Sequence, residues 1–114
     1  MVLEIQPDVR FPRGDKRRVQ FQVVDEDGDP LPVENFDISW VLQDTRTRDT
    51  VLDLNSDGVI LDVVESSAGK ISIVLRTTST SDLQSTDYRE VLQVTDPDGD
   101  RTTWVGRIIL TEDL

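Results

Sequence analysis

Apolar residues in this chain recur every second position, in short runs broken by turn residues. Successive strand side chains point to opposite faces, so this period marks β-strands half-buried in a core. Val2, Leu3 and Ile5 suggest a first short strand, ended by Pro7. Arg17 to Asp25 predicts a second, with Val19, Phe21 and Val23 on one face and Gln20, Gln22 and Val24 on the other. Phe36, Ile38, Trp40 and Leu42 alternate with Asp37, Ser39 and Val41 to give a third. Thr50 to Asn55, Gly58 to Val64, Lys70 to Arg76 and Tyr88 to Thr95 follow, and Thr103 to Thr111 closes the set. Ile71, Ile73 and Leu75 form the inner face of the sixth strand, and Trp104, Ile108 and Leu110 that of the last. No window combines helical periodicity with caps, although Thr78 to Ser85 has room for a short 3₁₀ or helical turn around Leu83. Seven or eight strands in one domain spanning residues 1–114, rich in Val and with Ala68 as the only alanine, predict an all-β antiparallel sandwich.

The turns carry their own chemistry. Asp25-Glu26-Asp27-Gly28-Asp29-Pro30 stops the second strand, because Asp-Gly accepts the positive φ of a tight turn and proline has no N–H to give a ladder. The pattern V-x-D-x-D-G-D at Val23–Asp29 returns at Val94–Asp100. Two hairpins using one turn solution account for it without a duplication. Tyr88 follows a polar stretch near the start of the penultimate strand, where a tyrosine corner would send its hydroxyl back to upstream backbone. Trp40 sits mid-strand and is read as core. Trp104 fits either the core or a subunit interface, where tryptophan is enriched.

Charge changes the picture next. The formal net charge is −11, from 23 acidic and 12 basic residues. The acids are 17 Asp and 6 Glu, and the bases 10 Arg and 2 Lys. Self-repulsion of this size opposes a compact fold at low ionic strength, whereas molar salt shortens the screening length to about 3 Å. Asp in place of Glu and Arg in place of Lys is a composition similar to that of salt-loving archaea. The same charge argues against nucleic acid, whose binding rests on neutralising phosphates, and against anionic membranes. No apolar run approaches the roughly 20 residues of a membrane span. The opening MVLEIQPDV lacks the basic and apolar regions of a signal peptide, so a protein made and used without secretion is expected. With neither cysteine nor histidine, thiol nucleophiles, disulfides, Cys-based zinc sites and the commonest general base are excluded. The expectation is a protein that is not an enzyme and needs no cofactor.

A longer pattern joins these pieces. Gly14-Asp15, then Val19-x-Phe21-x-Val23-x-Asp25-x-Asp27-Gly28-x-Pro30, then a strand ending Leu42-x-Asp44, resembles the immunoglobulin-like domain at the N-terminus of tailed-phage baseplate upper proteins and related small tail proteins. Asp82 to Gly99, with Leu83, Tyr88, Leu92 and Val94 at their places, resembles that family's second half. The likeness spans roughly residues 3 to 110. The resemblance implies an immunoglobulin-like sandwich; the chain departs from the pattern at Val33-Glu34-Asn35, where the family typically reads Leu-Thr-Gly, and functions borne by the receptor-binding or assembly extensions of longer members are not expected of it. The resemblance implies a structural subunit of a tailed virus, here of a halophilic archaeon. It would be assembled in the host cytoplasm into the tail or baseplate of the virion, in several copies and against other virion proteins. A capsid decoration protein and a glycan- or host-surface-binding module are the alternatives.

Candidate sites follow. Arg10, Arg13, Lys16, Arg17 and Arg18 form the one dense basic segment, read as a docking element for an acidic neighbour with a local counterweight to the domain's own carboxylates as the alternative, and Trp104 is a further partner-binding candidate. Arg13-Gly14-Asp15 spells an adhesion tripeptide, but its Gly-Asp is explained as the turn that opens a strand. Asp25, Asp27, Asp29, Asp96, Asp98 and Asp100 supply hard oxygen donors for surface cations such as Ca²⁺. They fall short of an EF-hand, whose twelfth position would be Phe36 or Arg107 here rather than Glu. No pair of carboxylates can be given acid and base roles.

Overall fold

The computed structural model of the chain describes residues 2–5 and 8–112, and at Glu4, Ile5, Asp8 and Val64 it describes the backbone alone. Nine strands form among the described residues: β1 (Val2–Ile5), β2 (Asp8–Pro12), β3 (Arg17–Val24), β4 (Asp37–Asp44), β5 (Thr50–Asp53), β6 (Val59–Glu65), β7 (Lys70–Leu75), β8 (Asp87–Thr95) and β9 (Arg101–Thr111). A 3₁₀ turn covers Ser66–Ala68, and a single helical turn, α1, covers Thr77–Thr80. The strands make two sheets, ordered β1-β3-β7-β6 and β2-β9-β8-β4-β5, packed face to face as a sandwich. The molecule is elongated, with principal extents of 42 × 26 × 24 Å. No helix among the described residues is long and apolar enough to cross a membrane.

Eight of the nine strands lie where the alternation predicts them, with no end moved by more than two residues. The ninth, β2, is a difference. It lies parallel to β9, pairing Val9 with Ile108 and Phe11 with Leu110, whereas every other strand pair is antiparallel. The sandwich is therefore not wholly antiparallel. Phe36 stands just outside β4 and packs half-buried against the core. Val24, predicted to face outward, is 3 % exposed, because Pro30 bridges to it and the crossover folds over the end of β3. Pro7, read as the end of the first strand, lies outside the described residues.

The core lies between the sheets. Val19, Phe21 and Val23 of β3 and Ile71, Ile73 and Leu75 of β7 come from one side. Trp40 and Leu42 of β4, Leu92 and Val94 of β8 and Ile108 and Leu110 of β9 meet them from the other. Each such side chain contributes about 1.5–3 kcal/mol on burial, which is what lets 114 residues fold without a disulfide. β2 adds Val9 and Phe11 to the same core, both 4 % exposed. One backbone contact fixes how the 3₁₀ turn meets β3. Gly69, at φ +69°, carries a carbonyl that accepts the Val23 N–H at 2.9 Å. A Cβ there would lie 2.5 Å from the Val23 oxygen and 2.6 Å from that of Leu31, so a side chain is excluded.

Candidate functional site

The two D-x-D-G-D turns are built alike. In the first, Asp25 Oδ1 accepts the backbone N–H groups of Asp27 and Asp29, each at 2.9 Å, while Asp25 N–H donates to the Asp29 carbonyl at 2.8 Å. In the second, Asp96 Oδ1 accepts from Asp98 at 3.0 Å and Asp100 at 2.9 Å, and Asp96 N–H donates to the Asp100 carbonyl at 2.9 Å. The repeated motif is thus one hydrogen-bonded loop used twice, at the same end of the sandwich. The first Asp of each loop is occupied by its own amides. Asp25, Asp27, Asp29, Asp96, Asp98 and Asp100 are thus the residues that form these turns, and among the described residues no group of three or more carboxylates is gathered closely enough to hold a metal ion.

The basic segment is dispersed by the same alternation that builds the sheets. Arg10 is exposed between buried Val9 and Phe11 and stands out from the five-stranded sheet. Arg18 stands out from the four-stranded sheet, on the opposite side of the molecule, and pairs with Asp62 of β6 at 2.9 Å. Both partners are more than 40 % exposed, so the pair adds well under 1 kcal/mol. Arg13 and Lys16 lie in the turn between β2 and β3, and Arg17 at its exit is exposed. That turn is anchored: Arg13 Nη1 donates to the Leu83 carbonyl at 3.1 Å, and Gly14 N–H to the buried Thr80 hydroxyl at 2.8 Å. Sequence neighbours therefore do not make one patch here.

Trp104 is half-buried and belongs to the inter-sheet packing. Its ring meets Phe21 of the facing sheet edge-on, with centroids 6.0 Å apart at 72°. Gly106, two residues on, makes room for it, since a Cβ at that position would fall 2.0 Å from the indole. Trp40 is 1 % exposed, as its strand pattern predicts. Tyr88 is 3 % exposed, and its hydroxyl donates to the Gln84 carbonyl at 2.9 Å, the tyrosine corner anticipated from its position. Burial raises the phenol's pKa and that hydrogen bond opposes the rise. All six aromatic residues are buried or half-buried.

The residue that sequence reasoning missed is Glu90. It is fully buried between the sheets, and Trp40 Nε1 donates to its Oε1 at 2.8 Å. Its Oε2 has no hydrogen-bond partner, and among the described residues only Ser72 Oγ shares that condition. Burial pushes its pKa from the usual 4.5 up to about 7, against the smaller opposing pull of the Trp40 bond. A carboxyl poised near neutrality is often catalytic. Here it is sealed, lining neither surface hollow described below, so it acts within the core.

Two hollows open on the five-stranded sheet. One, of about 400 Å³, lies where β5 stops at Asp53 and β4 runs on, lined by Ile38, Trp40, Leu54 and Asn55 among others. The other, of about 250 Å³, is ringed by Arg48, Arg89 and Arg107 with Thr45, Tyr88 and Gly106. No protein-family model matches the chain, and no curated protein matches it.

Proposed function

We propose that this protein is a non-enzymatic structural subunit of a tailed virus of a halophilic archaeon, in the tail or baseplate, built as an immunoglobulin-like domain and assembled with other virion proteins. The observation that carries the reading is where the resemblance residues fall in the fold. Gly14-Asp15 opens β3, Asp25 to Pro30 leaves it, alternating β4 follows, and the Tyr88 strand runs through an Asp-Gly hairpin into the last strand.

The strand order supports the immunoglobulin-like part. With β1 as A, β3 as B, β4 as C, β5 as C′, β6 as D, β7 as E, β8 as F and β9 as G, the sheets read A-B-E-D and G-F-C-C′, with β2 added beside G. A buried tryptophan on strand C and a tyrosine corner at the start of strand F are hallmarks of such domains, and Trp40 and Tyr88 hold those places. A chain without histidine or cysteine, in which Glu90, a carboxyl near neutrality, is sealed in the core, suits a role made of surfaces rather than of bond-making.

The test is co-sedimentation in multimolar KCl of the purified protein with dissociated tail and capsid fractions of haloarchaeal tailed viruses. Association with the tail fraction is expected, and association with the capsid fraction alone would move the assignment to capsid decoration. A protein that binds neither fraction and does not assemble with itself is not a virion subunit.

A further inference from the structure

The outward face of the five-stranded sheet differs from the rest of the surface. Its register sets side chains in rows across β4, β8 and β9. Val41, Val91 and Val105 form one row, and Ser39, Gln93 and Thr103 the next. These six neighbouring positions carry no charge, in a chain that is 31 % charged. Val105 is 48 % exposed, and Val41 and Val91 are half-buried. The other strongly exposed apolar residues, Val2, Ile60 and Val63, lie on β1 and β6, the edge strands of the opposite sheet.

The band is bounded differently at its two ends. On one side stands the row Gln43, Arg89, Arg107, and Arg48 closes the 250 Å³ hollow over it. On the other stand Asp37, Thr95 and Arg101, and beyond them the turn bearing Asp96, Asp98 and Asp100. Arginine-rich and aspartate-rich ends flank one band that is uncharged across β4, β8 and β9 and stops at Asp53 on β5. Such a face is self-complementary: a copy turned about a two-fold axis along the band, with its strands reversed, brings each arginine end to the other copy's aspartate end. Five strands about 4.8 Å apart, with paired stretches of up to nine residues at about 3.4 Å each, give a footprint of roughly 600–700 Å², close to one side of a standard interface.

We infer that this face pairs with a second copy of the chain, the valine row supplying the buried centre and the charged ends the register. The inference deepens the subunit role proposed above and rests on it for the occupant. The chain has no cysteine, so one introduced thiol reports the contact without background. Sedimentation velocity over a concentration series in multimolar KCl is expected to show a dimer, weakened at least tenfold by Val105→Asp and unchanged by Ile60→Asp, a substitution on the other sheet. Val105→Cys is expected to form a covalent dimer under mild oxidation, and Ile60→Cys none. A protein monomeric at every concentration overturns the inference. So does an association that survives Val105→Asp and crosslinks through Ile60→Cys, although that result leaves the subunit role standing. Failure to associate either with itself or with virion fractions sinks both.

Discussion

Glu90 shows how one residue sets a pH dependence for the whole domain. In the unfolded chain its carboxyl ionises near 4.5, and in the fold near 7. Between those values the native state holds a proton that the unfolded chain has lost. Stability from this group is therefore complete below about 4.5, falls as pH rises through the window, and levels off above 7. Glu90→Gln keeps an acceptor for Trp40 and removes the ionisation. The stability of the variant relative to the wild type is expected to rise by roughly 2–3 kcal/mol between pH 4.5 and pH 8, on top of a pH-independent cost of the unpaired amide hydrogens. Urea denaturation at both pH values measures this, and parallel stability profiles for the two proteins would refute it. The signal was present in the sequence. Glu90 shares the parity of Tyr88, Leu92 and Val94 in an alternating strand, so it must point inward with them. Reading the acids only as surface charge concealed it.

At the scale of elements, the legible features are those whose causes are local. Alternation placed eight strands, and Asp-Gly placed both loops, because each signal acts over a few residues. Asp96 shows how local the loop is: its one carboxylate oxygen organises two amides. Asp96→Ala is expected to lower stability by about 1–2 kcal/mol in thermal or urea unfolding, and Asp96→Asn by clearly less, because the amide oxygen still accepts. Equal losses for the two would mean that charge, not geometry, matters there. β2 was not legible for the converse reason. It offers two inward residues, Val9 and Phe11, before Pro12, and its partner begins almost a hundred positions away. Arg10 to Arg18 was misleading in a similar way. A run of bases reads as a patch, but between Arg10 and Arg18 the chain crosses from one sheet to the other, which sets them on opposite faces of the sandwich.

For the whole molecule, charge is unevenly placed. The loops after β3 and β8 put Asp25, Glu26, Asp27, Asp29, Asp96, Asp98 and Asp100 at one end of an elongated body. Repulsion among them is felt over about 10 Å at 0.1 M salt and about 3 Å at 1 M. The urea midpoint is expected to rise between 0.1 M and multimolar KCl, and to rise less in a variant with Asp27, Asp29, Asp98 and Asp100 changed to Asn. A midpoint indifferent to salt in the parent protein would remove the physical basis for the halophilic reading. The composition announced this dependence, whereas its concentration at one end needed the topology.

The parallel pairing of β2 with β9 has a mechanical consequence. Tension applied before Asp8 and after Thr111 draws two parallel neighbours along their length in opposite directions. The ladder from Asp8–Arg107 to Pro12–Thr111 then bears the load in shear, with its hydrogen bonds strained together rather than unzipped one at a time. An antiparallel pair at the same place would peel open from one end. A domain joined to its neighbours through these two strands would carry a pulling force as a strut, yielding at high force and over a short extension.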